Sequence, residues 1–191
     1  FSPGGKPGLR PDRATIVYAN RIREVFGNIP IILGGIEASL RRFAHYDWWD
    51  DTVRRSILFD ARADIIVFGM GERQILEIAE KIKQGKELKD IRGTAYITNA
   101  KEDGALEIPS FEDVKTDKDK FNEAFSLIYK NQDPFKDTKL IQGHGNRFVL
   151  QCPPILPLEE HELDAIYELP YTKKPHPSYK LKGGIPGFET V

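Results

Sequence analysis

The chain has 191 residues, 28 of them Lys or Arg against 29 Asp or Glu, for a formal net charge of −1 and a pI of about 6.5. That balance excludes a protein built simply to coat nucleic acid or an anionic membrane. Hydrophobic residues at 40%, charged ones at 30% and a mean hydropathy of −0.44 describe a soluble globular chain, and no apolar run approaches the roughly 18 residues of a membrane span.

The opening stretch from Ser2 to Pro11 is rich in Gly and Pro and reads as a loop. Ala14, Tyr18, Ile22 and Val25 then fall on one face of a helix, with Arg13, Asn20 and Arg23 outside it and Gly27 as the stop. Ile29 to Leu33 is a short apolar run ended by Gly34-Gly35, which fits a strand buried on both faces. A short helix is expected from Ile36 to Phe43, an ordered loop from His45 to Asp51, and another short helix around Val53, Ile57 and Leu58. Asp64 to Phe68 gives a second buried strand, closed by Gly69-Met70-Gly71-Glu72. Ile75, Ile78, Ala79 and Ile82 mark the helix behind it. Strand, helix and strand in this order predict a βαβ crossover with parallel pairing.

The second half changes character. Thr94–Thr98 and 105–108 flank Glu102-Asp103-Gly104, a hairpin signal. Phe121, Ala124, Phe125 and Ile128 mark a helix, and Leu140 to Gln142 with Phe148 to Leu150 bracket Gly143-His144-Gly145-Asn146 as a second hairpin. A short helix from Leu158 to Glu168 precedes a connector rich in Pro, Gly and Lys from Lys173 to Gly187. The predicted class is α/β, a Rossmann-like parallel sheet with helices, elaborated by β-hairpins and helices in the second half.

Chemistry-bearing groups are few. Cys152 is the single cysteine, which excludes an internal disulfide framework and a cysteine-ligated cluster within the chain, and it points to a reducing, cytoplasmic setting. It precedes two prolines and has no basic neighbour in sequence, so it reads as an inert, packed thiol. His144, His161 and His176 share no metal-ligand spacing and read as solvent-facing or capping residues. The glycine turns supply the first candidate site, a cofactor-binding set of Gly34, Gly35, Gly69, Gly71 and Glu72 at the ends of two strands, where backbone can approach a ligand closely. Gln74 stands where the dinucleotide fingerprint wants a third small residue, and Glu72 would repel a phosphate. The turns are therefore either a cofactor loop or plain strand-to-helix connections.

A second candidate, for ligand binding, is Arg41, Arg42, His45, Trp48 and Trp49, followed by Arg54 and Arg55. Guanidinium groups clamp carboxylate or phosphate and indoles stack on flat rings. The competing reading pairs these arginines with Asp47, Asp50 and Asp51 while the tryptophans close the core. In the tail, Tyr171, Lys173, Lys174, Tyr179, Lys180 and Lys182 offer basic and aromatic groups to nucleic acid, or serve only as a linker.

Three strings carry more information than their chemistry. Ser2-Pro3-Gly4-Gly5-Lys6-Pro7-Gly8-Leu9-Arg10-Pro11-Asp12-Arg13-Ala14, Gly34-Gly35-Ile36-Glu37-Ala38-Ser39-Leu40-Arg41-Arg42-Phe43-Ala44-His45-Tyr46-Asp47-Trp48-Trp49 and Pro175-His176-Pro177-Ser178-Tyr179 closely resemble the YgiQ-type family of radical SAM proteins. The resemblance implies a parent with a cobalamin-binding-like N-terminal region, a radical SAM barrel and a C-terminal extension, this chain matching the later part of the first. In that reading residues 1–92 belong to the cobalamin-binding-like domain, 93–170 form an α+β elaboration packed on it, and 171–191 lead to a barrel that would be its partner in the same polypeptide. The family's Cys-x3-Cys-x2-Cys motif follows the segment matching 183–188. It ligates a [4Fe-4S] cluster whose open iron chelates S-adenosylmethionine, and cleavage of that cofactor yields a deoxyadenosyl radical. No cofactor is expected in this chain, which opens without an initiator Met and reads as an inactive piece of a larger enzyme of unassigned substrate. The glycine turns resemble those of cobalamin-binding domains, although an Asp-x-His-x-x-Gly cobalt-ligand motif is absent.

Overall fold

The computed structural model describes residues 3–188, so the expectations that touch Ser2 and residues 189–191 lie outside the described residues. The chain divides into two compact units, one of residues 18–157 and one formed by its two ends, 1–17 with 158–191.

The larger unit is built on a mixed sheet. Its strands are β1 (Ile32–Leu33), β4 (Ile65–Val67), β5 (Thr94–Thr98), β6 (Leu106–Ile108), β7 (Leu140–His144) and β8 (Arg147–Gln151), in the spatial order β1-β4-β5-β8-β7-β6. β1 and β4 pair in parallel, as the βαβ spacing predicts, and so do β6 and β7, while β4–β5, β5–β8 and β7–β8 are antiparallel. The α/β class stands. The hairpin expected between Thr98 and Ala105 does not form. Both edges of β5 are taken by β4 and β8, and β6 turns away to line up beside β7. Gly104 does provide a turn, at φ +81°, but pairing was decided by which edges were free. The β7–β8 hairpin forms as expected, with His144 opposite Arg147 and Gly145 in the left-handed region at φ +64°.

Residue alternation gives the sheet two faces. Ile65, Val67, Tyr96, Ile141, Leu150 and Cys152 share one with Ile78 of α4 (Glu72–Lys83), all under a tenth exposed, in an apolar cluster completed by Ile91. The opposite face carries Ile66, Ala95, Val149 and Leu140 together with Gln142 and Gln151, both 1% exposed. Buried amides in a strand need partners. Gln142 has them, since its Oε1 accepts from the Ala44 amide at 2.8 Å and its Nε2 donates to the Pro109 carbonyl at 2.9 Å.

Two helices follow the strand ends, α2 (Gly35–Leu40) after β1 and α4 after β4. The segment expected as a loop at His45 to Asp51 is half of a small hairpin, β2 (His45–Asp47) with β3 (Thr52–Arg54), and Trp48 to Asp51 form its tip. The short helix expected at Val53 starts later, as α3 (Ile57–Asp60), because Ser56 caps it by accepting from the Leu58 amide. α5 (Phe111–Thr116) and α6 (Lys118–Lys130) are opened by the Ser110–Asp113 capping box and by Asp117. The first helix, α1 (Ala14–Phe26), inverts the expected polarity. Tyr18, Ile22 and Val25 are exposed, whereas Asn20 and Arg23 anchor the helix through the Asp60 and Arg62 carbonyls and the Asp64 carboxylate. The hydrophobic period located the helix but not the side that would be buried.

In the smaller unit, the Gly/Pro string at the start of the chain and the one near its end meet. The Gly4 amide donates to the Gly184 carbonyl at 3.0 Å. A Cβ on Gly4 would lie 2.8 Å from the Lys182 carbonyl oxygen, and its φ is +60°, so both contact and conformation require glycine. α7 (Glu160–Tyr167) and two 3₁₀ turns, Pro177–Lys182 and Pro186–Phe188, make up much of the rest.

Candidate functional site

A cleft of about 580 Å³ opens at the C-terminal ends of β1 and β4. This is where an α/β sheet leaves room, because the helices that follow neighbouring parallel strands diverge from the strand ends. Gly35 and Gly69, at φ +81° and +73°, form its glycine-bearing edge, and a Cβ on either would meet nothing within 4 Å. Exposed Ile36, Leu40 and Met70 form an apolar rim. Pro134 and Pro154 contribute another wall. Arg92 fixes both, donating to the Pro134 carbonyl at 2.5 Å and to that of Pro154 at 3.1 Å.

Arg42 supplies the charge. Its Nε donates to Gln151 Oε1 at 2.6 Å, Nη1 donates to the Ser39 carbonyl, and the guanidinium carbon lies 4.8 Å from the centre of the Phe68 ring. Ser39 is held by its own hydroxyl, which donates to the Gly35 carbonyl at 2.8 Å. No carboxylate pairs with Arg42 among the described residues. Burial pushes its guanidinium down to about 10, so it remains charged at neutral pH but is poorly solvated.

The other sequence candidates scatter. Arg41 turns back along α2 to pair with Glu37 at 3.2 Å. Arg54 gathers Asp47, Asp50 and Asp60 at 3.8, 3.2 and 3.1 Å, and Arg55 joins Asp60 at 2.8 Å. Internal pairing therefore accounts for three of the arginines and not for Arg42. Trp48 and Trp49 do not close the core; they are 75% and 64% exposed at the hairpin tip, because β2–β3 forms a sheet of its own beyond the main one. His45 lines a smaller cavity of about 170 Å³ that shares Arg42, Leu40 and Gln132 with the cleft. Its Nδ1 lies 3.1 Å from the Phe43 carbonyl while Nε2 is buried without a partner, and burial lowers its pKa. Gly34 and Gly71 are absent from the cleft lining. Glu72 starts α4 with one carboxylate oxygen buried and unpartnered. Sequence reasoning missed Ser39, Phe68 and Gln151; the available signal was Gln151 itself, an amide at the end of an apolar strand.

His144, expected at the surface, is 7% exposed between Phe59 and Phe111, with ring centroids at 5.0 and 5.6 Å. Phe59 from α3 and Phe111 from α5 cover the ring. Burial and nearby Arg55 hold its pKa down at about 4. Cys152 is buried, and burial raises its thiol pKa, as expected of an inert packed group. Among the described residues no group of three His, Cys, Asp or Glu side chains could hold a metal ion, and none of the helices is long and apolar enough to cross a membrane.

A family profile described as radical SAM N-terminal matches residues 1–191. The chain belongs to the radical SAM N-terminal family. Relatives of this radical SAM N-terminal domain include a UPF0313 protein of Methanocella arvoryzae, 53% identical over the whole of this chain and 32% of its own length. Another, from Clostridium botulinum, is 49% identical over the whole chain and 30% of its own length. A third, from Geobacter sulfurreducens, is 48% identical over the whole chain and 32% of its own length. The chain thus spans less than a third of the length of these curated relatives. No solved structure matches it.

Proposed function

We propose that this radical SAM N-terminal domain is the accessory part of a [4Fe-4S]-dependent radical SAM enzyme, working beside a catalytic barrel in the same polypeptide. The family match along all 191 residues carries the reading. The chain's own residues do not fit the cluster. A site-differentiated cluster needs three thiolates, and here there is one cysteine, buried, with its pKa raised. Nor does the cleft offer an imidazole to a corrinoid cobalt, since no histidine lines it among the described residues.

The test is anaerobic purification of the full-length protein with iron and sulfide reconstitution. A cluster signal in electron paramagnetic resonance and formation of 5′-deoxyadenosine from S-adenosylmethionine are expected. A full-length protein that holds neither cluster nor cofactor overturns the proposal.

A second reading, a module that binds an anionic or aromatic ligand without chemistry of its own, is favoured by Arg42, whose guanidinium faces the cleft without a carboxylate. Both readings hold together if the ligand is the one on which the barrel acts.

A further inference from the structure

Resting on the binding reading, we infer that the cleft beside Arg42 takes a monoanionic carboxylate attached to an apolar or flat body. A guanidinium removed from water is costly unless its donors are met. Two of the five N–H groups of Arg42 are used, on Gln151 and on the Ser39 carbonyl, and both acceptors are neutral. The remaining three have no partner among the described residues, and the ring of Phe68 at 4.8 Å offers only partial compensation. None of these groups sits on a nitrogen that is both buried and unpartnered, so they open on the cleft, where a ligand can replace water and neutralise the charge.

The lining decides which ligand. Arg42 is the single charged side chain among the described lining residues; the others include Ile36, Leu40, Phe68 and Met70. One cation matches one negative charge. A phosphate monoester, near two charges at neutral pH, would leave its second charge in an apolar cleft with no lysine or further arginine to meet it. The backbone does not add the missing donors. The Gly69 amide already points to Ser39 Oγ at 3.4 Å, and the helix after Gly34 is a mere six residues. Arg42 itself is not free to swing away, because Gln151 is fixed in a central strand pair and Ser39 in α2. The fork is held in place, so a carboxylate meets donors that need little reordering.

The experiment uses the full-length protein without added S-adenosylmethionine and three probes of one shape: 3-phenylpropionate, its uncharged amide, and phenyl phosphate. Binding is read by ligand-observed nuclear magnetic resonance titration. The carboxylate should bind roughly ten- to hundredfold more tightly than the amide, the range of a charge-assisted bond in a shielded site. Arg42→Met should remove that preference. Should Arg42→Met fail to fold, Met70→Glu decides, because it changes an exposed rim position and adds a carboxylate to the cleft that holds the guanidinium; it should weaken the carboxylate probe by about tenfold. If the amide or phenyl phosphate binds as well as the carboxylate, or Met70→Glu leaves the carboxylate unaffected, the carboxylate assignment is wrong while a binding cleft survives. If none of the three binds, the binding reading falls with it.

Discussion

The two faces of the main sheet are equally buried and differently made. Against α4 the contacts of Ile65, Val67, Ile78, Tyr96 and Leu150 are apolar and adaptable in detail. On the other face Gln142 ties Ala44 to Pro109, and Gln151 holds Arg42, so that hydrogen bonds with fixed directions set the position of the chain from Ser39 to Ala44. Apolar packing supplies stability and the amide face supplies placement. The candidate site lies on the second kind of surface.

That division can be broken from either side. Leu150→Ala, on the apolar face, should cost the most, about 2–5 kcal/mol of unfolding free energy measured in urea, by removing buried methyl groups from an almost closed cluster. Next comes acid. His144 stays neutral in the folded protein down to about 4, whereas in the unfolded chain it protonates near its ordinary value. Between those two pH values the unfolded state binds the extra proton. The stability is therefore fully present above the unfolded value and lost as pH falls toward 4, on the order of 3 kcal/mol in all. The urea midpoint of the parent should fall further on acidification than that of His144→Phe, which has no group to protonate at this position; parallel curves would refute the assignment.

On the amide face, Gln142→Leu should destabilise by about 1–3 kcal/mol, since the Ala44 amide and the Pro109 carbonyl lose their partner. It should also loosen the Arg42 segment, read as faster amide exchange over 41–45, a change Leu150→Ala would not produce selectively. At the small end, Arg41→Ala removes a pair within one helix and should shift stability by about 0.3–0.5 kcal/mol. A larger loss would mean that Arg41, like Arg42, holds the cleft.

Much of this was legible in the chain. The parallel β1–β4 pair, the β7–β8 hairpin, α4 and α6 follow from apolar period and glycine stops, which act locally. The family was legible in strings such as Ser2–Pro11 and Pro175–Tyr179, and in the first of these Gly4, lying against Lys182 and bonded to Gly184, is a position only glycine fits. What could not be read was pairing at a distance. The strand beside β5 depended on which edges stayed open, and the side of α1 that faces the body depended on Asp60, Arg62 and Asp64, about 40 residues away.

The candidate site illustrates the same boundary. The cluster Arg41 to Arg55 names four arginines with identical charge and no means of ranking them by sequence. Asp47, Asp50, Asp60 and Glu37 neutralise three of them through local reach, over six or seven residues at most. Arg42 differs because its nearest side-chain partner is Gln151, 109 positions further on. Composition and periodicity determined the class of fold and the helices, and the strings that resemble a known family pointed to the kinship of this protein. Only the folded sheet, by bringing a neutral amide rather than a carboxylate to one guanidinium, decided where its unspent charge would lie, because Coulomb energy depends on separation in space and not along the chain.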